Sequence, residues 1–215
     1  MLFDYNDVIK GGDAMISKPI TKRFIKIVVV SLVWLILFGL TVNLGLSHDL
    51  FSKYFGEKGM IIAGSLLNVI GLAVLAHTHR DWTREMFRVR QKQILWLCAI
   101  LILAAVSLPL HYHWTDLPVV YYLLFTTISV FWQDYLTFGL LQQYLQEELS
   151  FKWRIVFLPL LFLSGHFLYI SHFGTKPMMG ILTFVMALLF TYLREKTQTL
   201  HWLLFLHLMF YFVTA

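Results

Sequence analysis

The sequence predicts an all-α membrane protein, a polytopic bundle of about seven transmembrane helices. Of its 215 residues, 59% are hydrophobic and 13% are charged, whereas soluble domains average roughly 45–50% and about 25%. Long apolar stretches that lack Asp, Glu, Lys and Arg also recur along the chain. These observations exclude a water-soluble globule, and the abundance of aliphatic and aromatic residues excludes disorder. The single cysteine, Cys98, excludes an internal disulfide framework.

Each predicted span is long enough to cross the roughly 30 Å hydrocarbon layer as a helix. Pro118 and Pro177 lie where the fourth and sixth spans begin, and proline is tolerated there because the first helical turn needs no N–H donor. Pro159 either belongs to the first turn of the fifth span or bends it. The fourth span is about 45 Å long, so it must tilt or extend beyond the membrane. The spans are Ile27–His48, Gly59–His79, Gln93–Thr115, Leu117–Gln146, Ile155–Thr175, Pro177–Leu193 and Thr197–Ala215.

The distribution of Lys and Arg predicts the orientation of the bundle. Fourteen of the 17 lie in the N-terminal segment and in alternate connections, whereas the opposite side holds only Lys53, Lys58 and Lys176. By the positive-inside rule, we expect a cytoplasmic N-terminus and an external C-terminus. The fourteen basic residues are Lys10, Lys18, Lys22, Arg23, Lys26, Arg80, Arg84, Arg88, Arg90, Lys92, Lys152, Arg154, Arg194 and Lys196. Their interfacial placement favours contact with the headgroups of a lipid bilayer and not with nucleic acid.

This pattern divides the chain into three parts: a cytoplasmic tail at 1–23, three transmembrane helices at 24–116, and a core of four transmembrane helices at 117–215.

Polar side chains within three of the spans are the candidate functional residues, because such groups are costly in a bilayer. Gln133 and Asp134 in the fourth span, His166 in the fifth and His207 in the seventh lie at matching depths of roughly 12–18 Å. We therefore expect Asp134 to meet one or both imidazoles at mid-membrane. The alternative for each histidine is a hydrogen-bonded packing role. Asp134, His166 and His207 could also bind zinc with one position open to water, although we predict neither a metal nor a cofactor.

Two histidine pairs and one glutamate pair are interpreted as parts of the membrane interface. The pairs are His77/His79 and His111/His113, whose i,i+2 spacing does not place two ligands on one helix face. Glu147-Glu148 is expected to be a solvated helix end near Lys152 and Arg154.

Three short motifs in the second half of the chain carry a family resemblance. Residues 133–141, with the sequence QDYLTFGLL, resemble the Glu-Glu-x-x-x-Arg-Gly signature of the CAAX-protease and bacteriocin-processing (CPBP, abortive-infection type) family of intramembrane endopeptidases. Residues 162–166, FLSGH, match that family's Phe-x-x-x-His motif, and residues 194–207 resemble the approach to its last motif, His-x-x-x-Asn. The resemblance covers about residues 117–212 and implies a hydrolase that acts on a membrane-associated peptide or protein.

The sequence departs from the family pattern at four positions. Gln133 occupies the place of the glutamate that is understood to activate water, and an amide cannot be the general base. Asp134 replaces the second glutamate, and Tyr211 replaces the final asparagine. Phe138 replaces the arginine and, with Phe162, is expected to contact the substrate. Only the two motif histidines carry over unchanged.

The resemblance implies a catalytic site with altered roles. Asp134, with His166, would activate water, while His207 and Tyr211 would donate hydrogen bonds to the developing oxyanion. The i,i+4 spacing of the last two residues places them on one helix face. Whether this hydrolase-like site is active, divergent or that of a pseudoenzyme is left open by the departures.

A non-catalytic membrane scaffold is the main alternative. The family is associated with bacteriocin immunity, so the bundle could bind another membrane protein or a lipid-linked ligand without cleaving it. A transporter is not favoured, because no pair of interrupted helices recurs in two halves of the chain.

Overall fold

The structure, a computed structural model, describes residues 20–89, 93–112, 117–170, 173 and 177–214. Within these residues it contains helices and connecting turns but no strand, which confirms the all-α prediction. The predictions for Lys10, Lys18, Arg90, Lys92, His113, Lys176 and most of the tail at 1–23 lie outside the described residues. The α-helices are α1 (Ile20–Phe38), α2 (Gly45–Phe51), α3 (Glu57–Thr78), α4 (Arg80–Met86), α5 (Gln93–Ser107), α6 (Val119–Asp134), α7 (Gln142–Gln146), α8 (Phe151–Tyr169), α9 (Pro177–Thr197) and α10 (His201–Thr214).

Three helices within the described residues have the length and composition of membrane spans, namely α3, α8 and α9. Helix α10 and the segment that contains α5 are apolar but shorter. The predicted total of seven spans and the division of the chain at residues 23 and 116 stay predictions. Pro118 precedes α6 and Pro177 begins α9, as expected from their positions, whereas Pro159 lies inside α8 and not in its first turn.

The first predicted span, Ile27–His48, is wrong as a continuous helix. Helix α1 ends at Phe38, and the chain turns before α2 begins. Asn68 of α3 causes the break: its amide donates to the Leu40 carbonyl at 2.7 Å, and its Oδ1 accepts from the Val42 N–H at 3.1 Å. These bonds satisfy backbone groups that a continuing helix would pair, so a tertiary contact determines where α1 ends.

The fourth predicted span forms the central helical segment of the protein, called the rod below. It is helical without interruption from Val119 to Gln146, but residues Tyr135–Leu141 form a π-helix between α6 and α7. The Gln142 N–H donates to the Thr137 carbonyl, five residues back, as a π-helix requires. Helices α3 and α10 pack on α6, α1 and α9 pack on the π-helix, and α8 packs along α9. This helical segment therefore contacts four neighbouring helices, and α10 is the one that Asp134 reaches.

Polar contacts join the helices at the α7 end of this rod. Arg154 of α8 forms an ion pair with Glu195 of α9 at 2.7 Å, and the Gln142 side chain donates to the same carboxylate at 3.1 Å. The expectation of a solvated Glu147-Glu148 end is wrong for Glu148, which is 1% exposed and forms an ion pair with Lys26 at 3.1 Å. The glutamate pair therefore connects α1 to the core.

Candidate active site

The last turn of α6 presents the two polar residues that the sequence singled out. Gln133 and Asp134 are 4% and 0% exposed. Asp134 is the last residue before the π-helix, and its side chain points towards α10. Gln133, one helical step away, is buried in the same turn. Asp134 is therefore the residue of this pair that contacts another motif.

Asp134 and His207 form a buried hydrogen-bonded pair. The His207 Nδ1 donates to Asp134 Oδ1 at 3.0 Å, and the two side chains are 0% and 2% exposed. Because the carboxylate accepts this bond, Nδ1 carries the proton and Nε2 of a neutral ring keeps its lone pair. Asp134 Oδ2 is buried and lacks a hydrogen-bond partner in the described chain. The pair thus offers a nitrogen base whose orientation is set by a carboxylate.

His166 is held separately from that pair, on α8. Its Nδ1 donates to the Phe162 carbonyl of the preceding turn at 2.8 Å, so Nε2 of the neutral ring is again the unprotonated nitrogen. The ring lies 4.5 Å from the Phe162 ring, 5.3 Å from Phe38 and 5.4 Å from Phe173, measured between centroids. Apolar rings therefore surround an imidazole that is 6% exposed.

A row of phenylalanine rings connects the two histidines. Phe162 lies 5.4 Å from Phe138, Phe138 lies 5.5 Å from Phe190, and Phe190 lies 5.5 Å from His207. The two predicted substrate contacts, Phe138 and Phe162, are both fully buried in this row. They can contact a substrate only if the site opens.

The residues of this site lie within a part of the chain that matches a known family model. Residues 114–213 match the model of the Rce1-like type II CAAX prenyl endopeptidases. Over these residues, just under half of the chain, the protein is similar to the CAAX-protease family. No curated protein and no solved structure matches the chain. The match to a family of membrane proteins and the three long apolar helices together support an integral membrane protein.

Tyr211 ends the last of the three motifs on which the sequence resemblance rests. Its ring stacks on His207 with centroids 5.5 Å apart and planes inclined by 29°, so the two side chains share one face of α10. The Tyr211 carbonyl also accepts a hydrogen bond from the Tyr122 hydroxyl at 3.0 Å, which fixes α10 against α6.

The interfacial histidines have contacts of their own. His79 Nε2 lies 2.7 Å from the Tyr144 hydroxyl, and His111 Nε2 lies 3.0 Å from the Phe212 carbonyl. Within the described residues, no group of three His, Cys, Asp or Glu side chains is placed to hold a metal ion.

Four residues next to the CAAX-protease motifs were missed by sequence reasoning: Trp34, Phe38, Thr137 and Phe190. The Trp34 indole donates to Thr137 Oγ1 at 3.0 Å, inside the π-helix. The four-residue spacing of Lys26, Val30, Trp34 and Phe38 in the sequence could have indicated one face of α1. No signal in a single sequence marks Phe190 among the many phenylalanines.

Proposed function

We propose that this protein is a divergent intramembrane endopeptidase in which the Asp134–His207 pair activates water. The 3.0 Å hydrogen bond between these two buried side chains is the observation that carries the proposal. A carboxylate that holds an imidazole in one orientation and stabilises its protonated form is a recurrent arrangement in hydrolases. By analogy with the matched family, the substrate is the C-terminal peptide of a prenylated protein at the membrane.

The proposed reaction assigns each proton. His207 Nε2 takes a proton from water, and the resulting hydroxide attacks the scissile carbonyl while Asp134 stabilises the imidazolium. The Tyr211 hydroxyl donates a hydrogen bond to the oxyanion. His207 then gives its proton to the leaving amine, which breaks the C–N bond and leaves a new carboxylate and a free amine. His166 Nε2 accepts a hydrogen bond from the attacking water. In these roles His207 is the base and Asp134 orients it, whereas the sequence pattern had suggested Asp134 itself as the base.

A peptidase assay in liposomes tests the proposal with a farnesylated C-terminal peptide as substrate. Loss of a general base costs about 10²–10⁴ in rate, so we expect losses of that order for His207→Ala and smaller ones for Asp134→Asn and His166→Ala. His77→Ala, on an exposed histidine of α3, is the matched control and should cleave normally. Gln133→Glu adds a carboxylate at the family position, and because this carboxylate would be buried without a partner, its rate is measured per folded protein, where it should not abolish cleavage. Equal rates in wild type and His207→Ala would disprove the assignment.

A non-catalytic scaffold is the second candidate, and the packing of Phe138 favours it. This residue stands at the arginine position of the family signature and is wedged between Phe162 and Phe190 with 0% exposure. Such a filled interior suits a bundle that binds a membrane protein or lipid-linked ligand on its surface. Absence of cleavage in every variant, including Gln133→Glu, together with a stoichiometric partner after cross-linking in native membranes, would favour this function.

We also propose seven spans with a cytoplasmic N-terminus. The asymmetry of Lys and Arg in the sequence supports this topology. Cysteine residues introduced at Lys53 and Lys152, in a Cys98→Ser background, should react with an impermeant maleimide from opposite sides of sealed vesicles. Labelling of both from one side would contradict the topology.

A further inference from the structure

Trp34 of α1 contacts both segments that carry the candidate active site. This side chain is 3% exposed. Its indole N–H donates at 3.0 Å to Oγ1 of Thr137, three residues after Asp134 on the rod. Its six-membered ring lies against α8, where a Cβ atom at Gly165 would be 3.1 Å from it. One side chain therefore contacts the residue next to His166 and the helical turn that follows Asp134.

Helix α1 is held at both ends, so the position of this indole is fixed. Near its C-terminal end, the Trp132 indole donates to the Leu37 carbonyl at 3.0 Å. Near its N-terminal end, Lys26 Nζ lies 3.1 Å from the buried Glu148 carboxylate, and the Arg23 guanidinium donates to the Glu148 carbonyl. Rotation or sliding of α1 would break these bonds and leave buried groups unpaired. Helix α1 is therefore a rigid support for whatever its side chains bind.

The rod needs such a support at its π-helix. A hydrogen bond to the fifth residue back encloses one residue more per turn than the α-helical bond to the fourth. The rod is attached on both sides of this wide turn, by Trp132 before it and by Gln142 after it, whose amide donates to a backbone carbonyl of α9 at 3.2 Å. Moving the extra residue by one position turns an intervening side chain by about 100°. The orientation of Asp134 towards α10 therefore depends on where the extra residue lies.

Thr137 is the residue through which α1 contacts this wide turn. It is 0% exposed, and its carbonyl accepts the Gln142 N–H that defines the π-helix. A helical threonine hydroxyl commonly bonds to a carbonyl of the preceding turn, as Thr126 does with the Tyr122 carbonyl at 2.8 Å on the same rod. Thr137 Oγ1 accepts a bond from a different helix. This bond therefore joins the rigid support to the part of the rod that departs from the α-helix.

We propose that Trp34 is a positioning residue of the active site. Its bond to Thr137 keeps the extra residue of the rod directly after Asp134. This fixes the orientation of the Asp134–His207 pair relative to His166. The benefit to catalysis rests on the proposed function, in which both imidazoles bind the attacking water. Trp34 acts on the site from outside the residues that match the family model.

The kinetics of two variants test the bond. Trp34→Phe removes the N–H and keeps an aromatic ring, and Thr137→Val removes the acceptor with little change of shape. Because small misplacements of reacting groups are costly, kcat per folded protein for the farnesylated peptide in liposomes should fall by about 10–100-fold in each. KM should stay unchanged, because neither residue is assigned a contact with the peptide. The double variant should lose no more than either single variant, since both remove the same bond.

Three matched variants control for general loss of packing. Thr137→Ser keeps the acceptor oxygen and should cleave at close to the wild-type rate. Thr126→Val makes the matched substitution at a hydroxyl that bonds within its own helix, and Trp153→Phe removes the N–H of an indole that is 67% exposed. Both should keep the wild-type kcat. Additive losses in the double variant, a change confined to KM, or a slow Thr137→Ser would each overturn the positioning role.

The proton on His207 Nδ1 gives a readout that does not depend on cleavage. A proton bonded to a carboxylate resonates downfield in NMR spectra, and in protein with isotope-labelled histidine this signal is assigned by its loss in His207→Ala. It should move upfield in Trp34→Phe and Thr137→Val, because the turn that orients Asp134 relaxes. It should keep its position in Thr126→Val and Thr137→Ser.

The two readouts together separate this proposal from the proposed function. Slower cleavage with a shifted His207 signal supports both. An unshifted signal in Trp34→Phe and Thr137→Val overturns the positioning role, and normal cleavage by these variants then leaves the endopeptidase in place. A protein that cleaves nothing, but whose His207 signal shifts only when the bond is removed, supports the positioning role and contradicts the endopeptidase. Neither cleavage nor a shift overturns both.

Discussion

Removal of the imidazole that faces Asp134 should destabilise the bundle strongly. In His207→Leu, Asp134 Oδ1 loses its hydrogen-bond donor, and Oδ2 has no partner to compensate. The carboxylate is 0% exposed, so water cannot replace the lost bond without local unfolding. Breaking a buried ion pair by removing one partner typically costs about 3–5 kcal/mol. We expect the free energy of unfolding to fall by an amount in that range.

The charge on Asp134 is responsible for most of this loss, and a second substitution isolates it. In an Asp134→Asn background, His207→Leu removes a hydrogen bond between neutral groups, which costs about 1–3 kcal/mol. The same substitution should therefore cost roughly 2 kcal/mol less than in the wild type. This difference is the interaction energy of a double-mutant cycle.

Unfolding of the four proteins in detergent micelles by SDS, followed by circular dichroism, measures the cycle. His77→Leu, on an exposed histidine of α3, serves as the control and should change the free energy of unfolding by less than about 0.5 kcal/mol. If His207→Leu lowers the free energy of unfolding equally in the wild type and in the Asp134→Asn background, the reasoning is refuted, because the unpaired charge on Asp134 would then contribute nothing. A neutral effect in the wild type would refute the bond itself.

Three further predictions concern packing and charge elsewhere in the bundle. Gly71→Ala should lower the free energy of unfolding by about 1–3 kcal/mol, because the added Cβ would lie 2.7 Å from a tryptophan ring of α6. Gly180→Ala is the matched comparison, because a Cβ there would lie 3.6 Å from its nearest neighbour. This substitution should raise the free energy of unfolding by about 0.5–1 kcal/mol. Asn68→Leu should cost about 1–3 kcal/mol in the same SDS assay, because it leaves two backbone groups of the α1–α2 loop unpaired. The hydrogen bond to Glu147 raises the pKa of Lys26 above its usual 10.5, so this contact stabilises α1 fully below that pH and is lost as pH rises through the raised pKa. Hydrogen exchange of α1 should increase over that range in the wild type but not in Lys26→Met.

The helical class and most helix positions could be predicted from the sequence because they depend on local properties. A long apolar stretch must satisfy its backbone internally, and a proline such as Pro177 marks a first turn. The turn after Phe38 could not be predicted, because it depends on Asn68, which lies on another helix. The π-helix was missed for a similar reason, since its bonds replace α-helical bonds within an unchanged apolar sequence.

For the candidate site, the sequence predicts a shared depth for three residues but not which of them pair. Counting residues from the membrane surface placed Asp134 level with two histidines, yet depth alone cannot say which imidazole the carboxylate contacts. Rotation about the helix axes decides this, and the structure pairs Asp134 with His207 and holds His166 against Phe162. The contribution of α1 could not be found from the motifs, because Phe38 lies far away in sequence and reaches His166 only through tertiary packing.

In the proposed alignment with the family signature, the residues at positions 133 and 138 are best understood together, as the loss of one buried charge pair. The interior already contains one carboxylate, Asp134, whose partner is His207. A glutamate at the place of Gln133 would add a second buried anion, and Phe138, which fills the arginine position, offers it no positive charge. Since an unpaired charge in such an interior is strongly destabilising, glutamine preserves the shape of the motif without that cost. Any hydrolytic chemistry that remains must then use the charge that still has a partner, which is why the base is expected at His207 and not at the first residue of the family signature.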